Sequence, residues 1–84
     1  MMGKETEKEM KIFAENIAYL RRFYKLSQQE MAKKLNVSTY CISKIENGEV
    51  PENLSVNTMI AVYNEFGIMP SKMFESLNLE TKNP

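Results

Sequence analysis

No histidine occurs in the 84 residues. The chain therefore lacks the side chain best suited to proton transfer near neutral pH, which is also the commonest transition-metal ligand. Cys41 is the sole cysteine, so neither an intramolecular disulfide nor a cysteine metal cluster can be built. The three glycines form no phosphate-binding loop, and no GxSxG turn is present. On these grounds no enzyme, metal, cofactor or small-molecule ligand is expected. No apolar run approaches the roughly 20 residues needed to cross a bilayer. The opening MMGKETEKEM has no signal-peptide core, and the expected location is the cytoplasm. An excess of one charge is missing too. Eleven basic and 11 acidic residues cancel, which argues against a nonspecific polyelectrolyte binder.

What is present suits a small globular domain, with 43% hydrophobic and 26% charged residues. A chain this short buries only about 60–65% of its unfolded surface, so its core is thin. One domain is expected over residues 1–84, with its core at about 10–77 and loose ends at 1–6 and 78–84. Charge is unevenly spread. Between Arg21 and Lys34 stand Arg21, Arg22, Lys25, Lys33 and Lys34 against Glu30 alone. Acids gather in the first ten residues and in the loop ENGEVPEN.

Helical periodicity recurs five times, whereas strand signals are weak. Met10, Phe13, Ile17, Leu20 and Tyr24 form one stripe on a first helix from about residue 7 to Tyr24, with Glu15, Asn16 and Arg22 off the stripe. Ser27 followed by Glu30 predicts a capping box, and Leu26 with Met31 a hydrophobic staple. Met31, Ala32 and Leu35 then face inward. Asn36 can take the left-handed conformation that ends a helix. Ser38 caps a third helix, seated by Ile42 and Ile45 and ended by Gly48. Two short helices joined by so tight a turn fit a helix-turn-helix. Beyond Pro51, Ser55 is expected to cap a fourth helix with Val56, Met59, Ile60, Tyr63 and Phe66 inward. Gly67 ends it, and Met69-Pro70 opens a fifth whose face is Met73, Phe74 and Leu77. At roughly 100° per residue, Tyr40, Ser43, Lys44 and Asn47 point away from Ile42 and Ile45, with Thr39 and Cys41 on the flanks.

The stretch IAYLRRFYKLSQQEMAKKLNVSTYCISKIENG, continued by MIAVYNEFGIMPSKMF, resembles the phage repressor/Cro-type (XRE-like) helix-turn-helix regulators over about residues 12 to 77. The resemblance implies an all-α, five-helix DNA-binding domain whose third helix lies in the major groove while the second crosses the backbone. It makes Thr39, Tyr40, Ser43 and Lys44 base-edge readers, and Gln28 and Asn47 phosphate contacts. Ser38, Arg22 and Lys25 join the expected backbone contacts. Arg21 and Glu46 match a structural pair between the first helix and the end of the third. Three departures stand out. Asn36 replaces a common glycine, the loop after Gly48 is longer, and that loop is acidic through Glu49 and Glu52.

The expectation is a regulator of a specific duplex DNA operator, acting as a homodimer on a palindromic site. Met73, Phe74 and Leu77 either complete the core or form the dimer seam. The alternative is a protein-interaction module of the same fold, paired with a toxin, a kinase or another regulator, and supported by the neutral charge and acidic loop. Cys41 is expected to be a small, partly buried residue without a redox role.

Overall fold

The computed structural model describes residues 4–51, 54 and 56–77, with side chains from residue 8 onward. The expected Ser55 cap, Glu52 of the acidic loop, and residues 1–3 and 78–84 lie outside the described residues. Among them run α1 (Lys4–Phe23), α2 (Gln28–Leu35), α3 (Thr39–Glu46), α4 (Val56–Phe66) and a 3-10 helix (Pro70–Phe74), with no strand. The all-α class is as expected, but the fifth element is not an α-helix. Met69 offers no side-chain cap and Pro70 opens the turn. A segment of five residues suits the tighter 3-10 geometry, which is used in short pieces. Residues 4–6, expected to be loose, belong to α1, where glutamate and lysine are good helix formers.

The first three helices close in the same way. At the end of α1 the Lys25 N–H donates to Arg22 C=O at 3.1 Å and Leu26 N–H to Arg21 C=O at 2.9 Å. After α2, Asn36 N–H reaches Lys33 C=O at 3.3 Å and Val37 N–H reaches Ala32 C=O at 2.9 Å. After α3, Gly48 N–H donates to Ile45 C=O at 3.1 Å and Glu49 N–H to Lys44 C=O at 3.0 Å. This paired closure requires one left-handed residue, supplied by Lys25 (φ 57), Asn36 (φ 58) and Gly48 (φ 87). Asn36 and Gly48 match the sequence expectation. Lys25 does not, because a side chain with a Cβ pays a penalty there.

Helices α2 and α3 pack on each other, α3 also on α1, and α4 on α2 and the 3-10 helix, which returns to α1. Their inward side chains form one cluster in which Phe13, Ile17, Leu20, Met31, Ile42, Val62 and Met73 are fully buried. Each such side chain contributes about 1.5–3 kcal/mol relative to exposure. Phe74 stacks on Phe13 with ring centroids 5.6 Å apart. Met73 is fully buried, and Phe74 and Leu77, partly buried, pack against the cluster, so all three contribute to the core.

Two faces differ from the sequence reading. On α4, Val56, Ile60 and Tyr63 are exposed, while Thr58 and Val62 are buried. Apolar residues lie almost all round this helix, so contact with α2, not periodicity, selects the inward side. On α1, Asn16 is buried at 4% exposure, whereas Tyr24, placed on the stripe, lies just past the helix end and is 47% exposed. Asn16 Nδ2 donates to the carbonyls of Met73 and Glu75, both at 2.7 Å, and its Oδ1 accepts from Leu77 N–H at 3.2 Å. One carboxamide thus supplies partners to three backbone groups of the C-terminal segment, which has few helical bonds of its own.

Candidate nucleic-acid interface

The capping box is fully formed at the start of α2. Glu30 N–H donates to Ser27 Oγ at 3.0 Å, and Ser27 N–H donates to Glu30 Oε1 at 2.8 Å. At the start of α3, Ser38 Oγ accepts from Cys41 N–H at 3.0 Å. The hydroxyl of exposed Ser38 keeps its own O–H for another acceptor. Cys41, Ile42 and Ile45 seat α3 on the core. Burial pushes the Cys41 thiol pKa up, more than the nearby Lys44 charge draws it down. The thiol therefore stays protonated at neutral pH, unlike a reactive cysteine.

The opposite side of α3 is free of the core. Thr39, Tyr40 and Asn47 are exposed, and Ser43 and Lys44 are half-buried. Tyr40 is 71% exposed, the highest among the large apolar side chains that reach solvent. Lys44 is not a freely solvated cation: its Nζ lies 3.6 Å from Glu49 Oε1 and 5.4 Å from the Tyr40 ring centroid. Of the basic residues from Arg22 to Lys34, Arg22, Lys25 and Lys33 are exposed, and Lys34 pairs with Glu65 on α4 at 3.5 Å.

Three helices meet at Glu46. Arg21 Nε donates to Glu46 Oε2 and its NH2 group to Oε1 at 3.1 Å. Its remaining NH1 group reaches Leu26 C=O at 2.8 Å. Gln28, expected at the DNA backbone, donates through Nε2 to the same Oε1 at 3.1 Å. Its carboxamide is therefore half-buried and held by the end of α3. An amide carries two N–H donors, and this bond uses one of them. Burial disfavours charge on Glu46, yet hydrogen bonds from Arg21 and Gln28 and the charges of Arg21 and Arg22 outweigh it. Its carboxyl accordingly titrates below the ordinary value.

Sequence reasoning missed Gln28 as a member of this network and Asn16 as the clamp on the C-terminal segment. Asn16 did carry a signal: it stands three residues after Phe13 and four before Leu20, which is the spacing of neighbours on one helix face.

The capped pair α2–α3, its left-handed turn at Asn36 and an outward hydrogen-bonding face on α3 define a helix-turn-helix domain, the architecture of DNA-binding regulators. A family model described as a helix-turn-helix domain matches residues 14–78, and the chain belongs to that family. Neither a curated protein nor a solved structure gives a match. Among the described residues, no helix is long and apolar enough to cross a membrane, and no group of acidic, cysteine or histidine side chains could hold a metal ion.

Proposed function

We propose that the chain is a sequence-specific regulator of the repressor/Cro type, with α3 in the DNA major groove. The observation that carries this reading is the division of α3. Its inner residues are locked into the core while Thr39, Tyr40, Ser43 and Lys44 form an outer edge of short or flexible hydrogen-bonding groups. Lysine donates to guanine O6 and N7, threonine and serine donate or accept, and tyrosine packs on a thymine methyl or bonds a phosphate. Gln28, at the start of α2, takes a phosphate oxygen through its second N–H with help from the helix dipole. Asn47, Ser38, Arg22 and Lys25 supply the remaining backbone contacts.

The protein acts as a homodimer on a palindromic operator, its two α3 helices about 34 Å apart, one DNA turn. The outer side of α4 is the face for the second copy. Val56, Ile60 and Tyr63 are exposed there, and no charged residue occurs from Asn53 to Asn64. A two-fold interface opposes a surface with itself, so an uncharged apolar face meets no like-charge repulsion.

Selection from a random duplex pool across a salt series tests the function. The expected result is one recurring palindromic site, with affinity falling steeply as salt rises. No enriched sequence together with a flat salt response overturns it. That outcome would favour the protein-interaction reading, for which the zero net charge and the ion-paired Lys44 speak.

A further inference from the structure

Glu49, which follows α3, has no place in the DNA-reading face just described, yet it touches that face at Lys44, the one cation of α3. We infer that Glu49 is an intramolecular competitor for DNA. It holds Lys44 away from the phosphate backbone until a base edge with suitable acceptors replaces it. The inference rests on the DNA-binding reading and adds a specificity determinant to it.

The geometry is local and backbone-fixed. Glu49 N–H donates to Lys44 C=O at 3.0 Å in the closure of α3, next to Gly48 at φ 87. That bond returns the chain onto the last turn of the helix, so the Glu49 side chain starts beside the Lys44 stem. Its carboxylate then lies 3.6 Å from Nζ, and the Tyr40 ring, one turn earlier, faces the same ammonium at 5.4 Å. A carboxylate and an aromatic face both attract a cation. The ammonium is thus engaged from two sides in the free protein.

A lone phosphate offers Lys44 only what Glu49 already supplies, and the neighbouring carboxylate repels it. A guanine edge offers two acceptors, O6 and N7, at one place. Exchange is favourable there and not on an arbitrary backbone. Sequestering the cation lowers affinity for mixed sequence by about one phosphate contact, and the specificity ratio rises accordingly.

The test measures binding to a short mixed-sequence duplex over a salt series by fluorescence anisotropy. Five proteins are compared: wild type, Glu49→Gln, Lys44→Ala, the double variant, and Glu9→Gln. The last removes an equal charge from an exposed position of α1. Glu49→Gln is expected to bind about three- to fivefold more tightly, the scale of one exposed ion pair. Its log–log salt slope steepens by about 0.9, one added phosphate contact. In the Lys44→Ala background the same change should do no more than Glu9→Gln does in the wild type. A Glu49→Gln effect that persists in full without Lys44, or that Glu9→Gln reproduces, overturns the competitor role and leaves the DNA-binding reading intact. No salt-dependent binding by any of the five overturns both.

Discussion

Arg21 and Glu46 join the first helix to the end of the third through two contacts of one guanidinium with one carboxylate. Both side chains are mostly shielded, at 21% and 15% exposure. Removing either partner leaves a charge stranded in a poorly hydrated place, so single substitutions cost more than the net worth of the pair. Arg21→Ala and Glu46→Gln are each expected to destabilise the fold by about 1–3 kcal/mol. Their double-mutant cycle, by urea denaturation, should show coupling above about 0.5 kcal/mol. Strict additivity would remove the pair from the structural account.

The same carboxyl sets a pH response. Its folded pKa lies below its ordinary value, so the folded state binds protons there less readily than the unfolded chain. The contribution to stability is fully present above the unfolded glutamate value of about 4.3 and is lost as pH falls through the folded one. Between about pH 5 and 3, wild type should lose stability more steeply than Glu46→Gln. Parallel curves would contradict this.

Lys25 offers a stabilising change. It holds φ 57 at the end of α1, where glycine avoids the Cβ penalty. Lys25→Gly is expected to raise stability by about 0.5–1 kcal/mol. It should also weaken binding to every DNA sequence alike, because a backbone contact is lost. Thermal denaturation and a duplex titration separate the two effects.

Asn16→Ala leaves the Met73 and Glu75 carbonyls and the Leu77 N–H without their present partner. Only the Met73 bond is buried, and a buried unpaired group costs about 1–3 kcal/mol. The part-buried Glu75 and Leu77 groups regain water and cost less, so a total loss of about 2–4 kcal/mol is expected. Hydrogen exchange should rise first at Leu77. Unchanged stability would mean that water replaces the side chain readily.

The α4 face and the α3 face should separate in experiment. Ile60→Glu is expected to shift sedimentation from dimer to monomer with little effect on monomer stability, since Ile60 is half exposed. Lys44→Ala should relax base preference at one operator position, costing about 1–3 kcal/mol there. Gln28→Ala should weaken all sequences similarly. A monomeric wild type removes the α4 assignment, and a Lys44→Ala protein with unchanged preference removes the base contact.

Much of the fold can be read from the residues because its signals are local. Ser27 with Glu30, Ser38, Asn36, Gly48 and Gly67 mark helix ends through bonds to their own neighbours, and all occur where expected. The inward side of α3 is likewise plain, since Ile42 and Ile45 stand three residues apart, within about 60° of each other on the helical wheel. The face of α4 is different: Val56, Ile60 and Tyr63 are as apolar as the residues that are buried, and only packing on α2 breaks the tie. Asn16 and Gln28 are polar residues whose partners lie 57 and 18 positions away. No periodicity reports such a pairing. Lys44 looks like a solvated cation until the α3 closure brings Glu49 back onto it.

The recurring two-bond closure of α1, α2 and α3 has an evolutionary reading. Each junction is held by main-chain bonds and one left-handed residue, and α3 is seated by Cys41, Ile42, Ile45 and Glu46, so its pose does not depend on the side chains of its outer edge. Thr39, Tyr40 and Ser43 can therefore be exchanged among many residue types while the frame that aims them stays put. A chain built this way can acquire a new target by a few surface substitutions, without having to rediscover how to fold.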